Sequence, residues 1–205
     1  MIYDFIKKNY SNGDPIFIKD IKGYSNDYIR QEMKRLTDEG KLKRFYNGVY
    51  YLSYTTVLGT KGKISIDKFV ERKYLNDGKN VFGYYSGLKL ANLYGFTTQN
   101  PAYTEITSNV ATTKQRKHIV DGNKFIIYKP PVEITNKNVS SLMFLDLLTI
   151  IDEYSEIGEK EKKQKIKRFI NINKVDFDDV KKYLKYYPDK TYKNIFTKGF
   201  MNELV

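Results

Sequence analysis

Arg30, Gln31 and Lys34 lie on a stretch with helical periodicity, and Arg, Gln and Lys are the side chains that read guanine and adenine edges. With about 100° per residue and Ile29 at the origin, Met33 falls near 40° and Leu36 near 340°, one apolar face. Gln31, Lys34, Asp27 and Asp38 then lie opposite, with Tyr28 and Arg35 on one flank and Arg30 on the other. A helix of this size fits the major groove. Ser25 and Asn26 stand at its N-terminus, where backbone N–H groups suit a phosphate. Lys43, Arg44 and Asn47 follow on a hairpin that could add backbone contacts. The competing reading is a solvated helix face, and Asp27 and Asp38 oppose dense phosphate contact along the whole helix.

Other candidate chemistries are weaker. Gly83-Tyr84-Tyr85-Ser86-Gly87 holds a serine between glycines, but not at the spacing of a nucleophile elbow. Gly62-Lys63 lacks the upstream glycine and the following Ser/Thr of a phosphate-cradling loop. Both read better as packed helix starts. The chain has no cysteine and a single histidine, His118, in a strand-like run without a defensible acidic partner. Asp176, Asp178 and Asp179 fall where a helix start favours acids. We therefore expect no catalytic residue, no metal and no cofactor. Lys182-Tyr183-Leu184-Lys185-Tyr186-Tyr187 mixes basic and aromatic residues as single-strand binders do, yet tyrosine bodies filling a core explain it better.

Ile2, Phe5, Ile6 and Tyr10 repeat at helical spacing until the turn residues Ser11-Asn12-Gly13-Asp14-Pro15. A short apolar run, Ile16-Phe17, precedes a small helix with Ile18 and Ile21. Ser25 caps the helix carrying Ile29, Met33 and Leu36, and Gly40 ends it. Two strand-like runs, Leu42 to Tyr46 and Val49 to Leu52, flank Asn47-Gly48, a strong hairpin signal. Helix, short helix, capped helix and hairpin make an N-terminal winged helix-turn-helix over residues 1–58.

Gly59-Thr60-Lys61-Gly62-Lys63 reads as a linker into a second domain, 59–205. Helices are expected over Ile64–Leu75 and Tyr84–Tyr94, and strands over Tyr103–Ser108, Arg116–Val120 and Lys124–Tyr128. A helix capped by Ser140 runs through Ile151, and a loop over Gly158–Lys163 follows. The last zone is helical: Lys160–Ile172, Phe177–Tyr187 capped by Asp176, and Thr191–Leu204. The fold class is α+β: the winged unit, a mixed helix and strand core over 64–155, and a lysine-rich helical segment over 156–205.

Thirty-six basic against 24 acidic side chains leave a net charge of +12, which favours a polyanion as partner. Lysine outnumbers arginine 30 to 6, so part of the excess reflects AT-rich codons rather than binding. The surplus is spread as +3, +5 and +4 over residues 1–58, 59–152 and 153–205, so pattern and not charge must locate any site. Asp4 and two lysines interrupt the N-terminus where a signal peptide needs an apolar run. The greasiest segment, Leu142 to Ile151, is half a bilayer span and holds Asp146. The expectation is a cytoplasmic protein without a membrane partner.

Ile16-Phe17 through Val49-Tyr50-Tyr51 and Gly83-Tyr84-Tyr85-Ser86-Gly87-Leu88-Lys89-Leu90-Ala91-Asn92 together resemble the AbiEi-type antitoxins of bacterial abortive-infection systems. Phe96-Thr97-Thr98-Gln99-Asn100-Pro101 and Glu105-Ile106-Thr107-Ser108-Asn109 also look like that family's second domain. The resemblance covers about residues 1–155. It implies a winged helix that binds inverted repeats in the chain's own promoter DNA. It further implies a second domain that counteracts a co-encoded nucleotidyltransferase-like toxin, by contact or indirectly, and so limits phage spread. The function expected is a non-enzymatic antitoxin and transcriptional autorepressor. The alternative is a winged-helix regulator of an unrelated operon, with a sensor or dimerisation module as second domain.

Overall fold

The computed structural model describes residues 1–200 and divides them into two compact units, Met1–Lys73 and the remainder from Tyr74. The fold class is α+β. In the first unit the order is α1 (Ile2–Asn9), β1 (Ile16–Phe17), a 3₁₀ turn (Ile18–Asp20), α2 (Asn26–Asp38), β2 (Leu42–Tyr46), β3 (Val49–Leu52) and α3 (Ile66–Val70). The Ser25 hydroxyl accepts from Tyr28 N and starts α2. Gly40, at φ +72°, ends it: Gly40 N donates to Thr37 O and Lys41 N to Leu36 O, which satisfies two terminal carbonyls. Ile29, Met33 and Leu36 are the buried residues of α2, as the spacing predicts. They close a core with Ile2, Ile6, Ile16, Ile21 and Leu42. Leu36→Ala should cost about 2–5 kcal/mol through lost burial and a cavity. Melting curves of the variant beside the parent check this.

The three strands are antiparallel in the order β1-β3-β2, with Ile16 opposite Tyr50 and Leu42 opposite Leu52. Asn47-Gly48 turns the β2–β3 hairpin, and a bulge between Arg44 and Tyr46 shifts its register. The first unit extends beyond the boundary expected at 58. Phe69 is fully buried, stacked on Phe17 with ring centroids 6.3 Å apart and edge-on to Phe45 at 5.0 Å. Lys68 pairs with Asp14 at 2.5 Å and Arg72 with Asp20 at 3.1 Å. Residues 59–73 are thus part of this unit, and the five residues from Gly59 do not separate two cores. The helix expected over Ile64–Leu75 starts at Ile66, where the Ser65 hydroxyl accepts from Lys68 N, and becomes a π-helical turn over Glu71–Leu75.

The second unit runs β4 (Gly83–Tyr85), α4 (Gly87–Leu93), β5 (Thr104–Ser108), β6 (Gln115–Val120), β7 (Asn123–Tyr128), α5 (Val139–Tyr154), α6 (Glu159–Asn173), α7 (Phe177–Tyr183) and α8 (Asp189–Thr197). Its sheet has the order β4-β5-β7-β6, with β5 and β7 parallel and the other pairs antiparallel. Asp121-Gly122 forms the β6–β7 turn, both residues at positive φ. The expected helix over Tyr84–Tyr94 is a strand for its first residues, because Gly83, Tyr84 and Tyr85 pair with Ser108, Thr107 and Ile106. Asn138 rather than Ser140 is the N-cap of α5, so this helix starts at Val139, two residues earlier than a Ser140 cap implies.

Leu142, Phe144, Leu145, Leu147, Leu148 and Ile151 of α5 are all fully buried, because α4, α7 and α8 pack around them. Helix α6 begins at Glu159, inside the loop expected over Gly158–Lys163. Asp176 caps α7 by accepting from Asp178 N and Asp179 N, and Leu184–Tyr186 continue as a 3₁₀ turn. Ile166, Phe169, Val180, Leu184, Ile195 and Phe200 share one core with α5, so the lysine-rich segment completes this unit. Of the helix expected over Thr191–Leu204, the structure shows Asp189–Thr197; Leu204 lies outside the described residues. Among the described residues no helix is long and apolar enough to cross a membrane.

Candidate nucleic-acid interface

The buried stripe of α2 dictates what the opposite face offers. Asn26, Tyr28, Arg30, Gln31 and Lys34 are all exposed. Ser25 is exposed too, but its hydroxyl oxygen already accepts from Tyr28 N, which leaves the backbone and Asn26 to face an anion. Arg30 lies 3.6 Å from Asp27, with 70% and 86% of the side chains exposed. A pair that open to water contributes little and yields readily to a phosphate. Tyr28 packs on Tyr24 with ring centroids 5.4 Å apart, which orients its ring at the start of the helix.

Arg35 is the exception in the expected set. Its guanidinium is held by Glu32, at 2.5 Å and 2.9 Å, and by Glu39. The two carboxylates hold Arg35 above its ordinary pKa range, and its hydrogen bond holds Glu32 below the usual carboxylate range. Arg35 is therefore spent inside the helix, a pairing set up by its (i−3, i+4) acids. Lys43 on β2 is partly covered, and exposed Arg44 donates from Nη2 to Asn47 Oδ1 at 2.9 Å. This bond stiffens the hairpin tip while leaving the remaining guanidinium donors outward. Lys43 and Arg44 also line a groove of about 730 Å³ with Thr37, Tyr51, Tyr54 and Lys61.

The segments that carry the family resemblance do structural work in the second unit. Thr98 N and Oγ1 and Gln99 Nε2 donate to the Glu156 carboxylate, pulling its pKa down to about 2. Asn109 clasps Ile134, donating to its carbonyl at 2.8 Å and accepting from its N–H at 2.9 Å. Asn92 Nδ2 donates to Gln99 O at 3.1 Å. His118 lies in β6 opposite Phe125, and Leu184 and Tyr187 of the basic-aromatic run are buried in the core. Among the described residues no group of three or more His, Cys, Asp or Glu could hold a metal ion.

A different cluster escaped the sequence reading. Glu105, Tyr128, Asp146 and Tyr187 converge on a cavity in the second unit, from strands and helices far apart in the chain, and Tyr84 donates to Asp146. The signal was present in Asp146, an acid inside the apolar run Leu142 to Ile151. No family model matches the chain, and no curated protein matches it.

Proposed function

We propose that the first unit is a winged helix-turn-helix that binds double-stranded DNA, and that the chain is a cytoplasmic transcriptional regulator of its own promoter. The observation that carries this is the exposure of Arg30, Gln31 and Lys34 opposite a fully buried stripe on α2, with the Lys43–Arg44 hairpin alongside. In this reading α2 enters the major groove, Gln31 and Arg30 meet base edges, and Asn26, Lys34, Lys43 and Arg44 meet phosphates. The resemblance to AbiEi-type antitoxins supports the fuller reading, an antitoxin that opposes a co-encoded nucleotidyltransferase-like toxin and represses its own operon at inverted repeats. The cavity of the second unit favours the other reading, a regulator with a ligand sensor.

Fluorescence anisotropy with DNA from upstream of the gene, against scrambled DNA, tests the DNA reading. Gln31→Ala should lose about 1–3 kcal/mol for the preferred sequence and blunt the preference. Lys43→Ala and Arg44→Ala should weaken binding evenly and lower the salt slope by about one each. Arg35→Ala should leave the slope unchanged, since its charge is already paired. An unaltered preference in the Gln31 variant would sink the assignment. Co-expression with the neighbouring gene's product from an independent promoter, scored for growth, separates antitoxin from unrelated regulator.

A further inference from the structure

The second unit carries a solvent-open cavity of about 1000 Å³, floored by acids and walled by apolar rings. Asp146, on α5, and Glu105, on β5, both line it. Gly87, at φ +55°, stands where any Cβ would collide with the Glu105 carboxylate, so that carboxylate rests against the start of α4 beside Ser86. Ser86 is 5% exposed and lines the same cavity, and its buried Oγ has no hydrogen-bond partner among the described residues. A buried hydroxyl left unpaired costs free energy that a ligand can recover.

We propose that this cavity binds a small organic cation, an ammonium, amidinium or guanidinium group on an apolar body, with Glu105 and Asp146 as its counter-ions and Ser86 Oγ as a further acceptor. The donor inventory sets the sign. Tyr84 gives its hydroxyl proton to Asp146 Oδ2 at 2.8 Å, and Tyr187 gives its own to Leu142 O at 3.3 Å. Those two protons are committed and the two carboxylates offer only lone pairs, so an occupant that meets them must bring N–H groups, while the Ser86 hydroxyl can either donate or accept. Burial first, and then the Glu105 charge, push Asp146 up to about 6. A cation between the two carboxylates relieves both effects. Two acids without a third ligand suit an organic cation better than a metal ion. Pro130, Pro131 and Ile150 supply the apolar walls. Lys114 and Lys129 also line the cavity but are exposed, where salt screens them.

The inference stands whether or not the first unit binds DNA. Benzamidine is the probe and benzamide its neutral counterpart, titrated calorimetrically into the full chain near neutral pH. Benzamidine should bind and raise the melting temperature with dose, while benzamide should do neither. Glu105→Gln and Asp146→Asn, each with an unchanged circular dichroism spectrum, should weaken benzamidine by about tenfold or more. Asp146→Asn is expected to stabilise the fold, so its loss of binding cannot be ascribed to unfolding. Equal binding of the two probes, unchanged affinity in both carboxylate variants, or no binding by benzamidine or agmatine at millimolar concentration would each overturn the proposal.

Discussion

Phe69→Ala should destabilise the first unit by about 3–5 kcal/mol, a large part of what a domain of this size possesses. The ring is fully buried and packs on three others, Phe17, Phe45 and Tyr46, with centroids 5.0 to 6.3 Å away. Its removal opens a cavity that the β1–β3–β2 sheet cannot refill, because the three partner rings are anchored to that sheet by their backbones. Denaturant unfolding of the full chain should show the first unit melting early, and DNA affinity should fall with it. The control is Val57→Ala or Leu58→Ala, 103% and 85% exposed, which should stay within about 0.5 kcal/mol of the parent. A Phe69 variant as stable as those controls would show that residues 59–73 are dispensable to the unit.

Asp146→Asn should stabilise the second unit above pH 6 by about 1–3 kcal/mol. The carboxyl titrates near 6 in the folded chain against an ordinary value of 3.8, mainly because burial penalises its charge. Below the lower value both states are protonated and the parent has its full stability. As the pH rises from 3.8 through 6 the unfolded chain releases its proton first, so the parent loses stability across that window and then levels off. Asparagine still accepts from Tyr84, and it has no charge to bury. The difference between the two unfolding free energies should therefore vanish near pH 4 and be greatest above 6. Other carboxylates cancel in that difference, including Glu156, whose low value comes from Thr98 and Gln99. A pH-independent difference would mean that Asp146 does not titrate in this range. That the chain keeps a costly half-buried acid facing a cavity supports a role there other than stability.

Local physics made much of the first unit legible. The α2 stripe follows from three apolar residues at helical spacing, its start from a serine hydroxyl, and its end from a glycine with left-handed backbone. Asn47-Gly48 and Asp121-Gly122 announced hairpins for the same reason, since turn chemistry depends only on the residues in the turn. Asp176 as a cap was equally local. The pairing of Arg35 was not legible because helix-face geometry treats residues singly, while Glu32 and Glu39 act on it together.

Neighbouring residues were enough to specify the elements whose cause lies within a few positions: the capped helix, the hairpins and the apolar core helix around Asp146. Tertiary structure alone decided the rest. Gly83-Tyr84-Tyr85 has too few residues to declare a strand, and becomes one because β5, some twenty residues on, presents a free edge. The boundary moved from 58 to Lys73 because Phe69, Lys68 and Arg72 find Phe17, Asp14 and Asp20, partners fifty residues away. The cavity joins residues of the start of α4, of β5, β7 and α5, and of the turn after α7, and no spacing rule connects them. Periodicity reports which side chains must be buried; only the packed chain chooses against what.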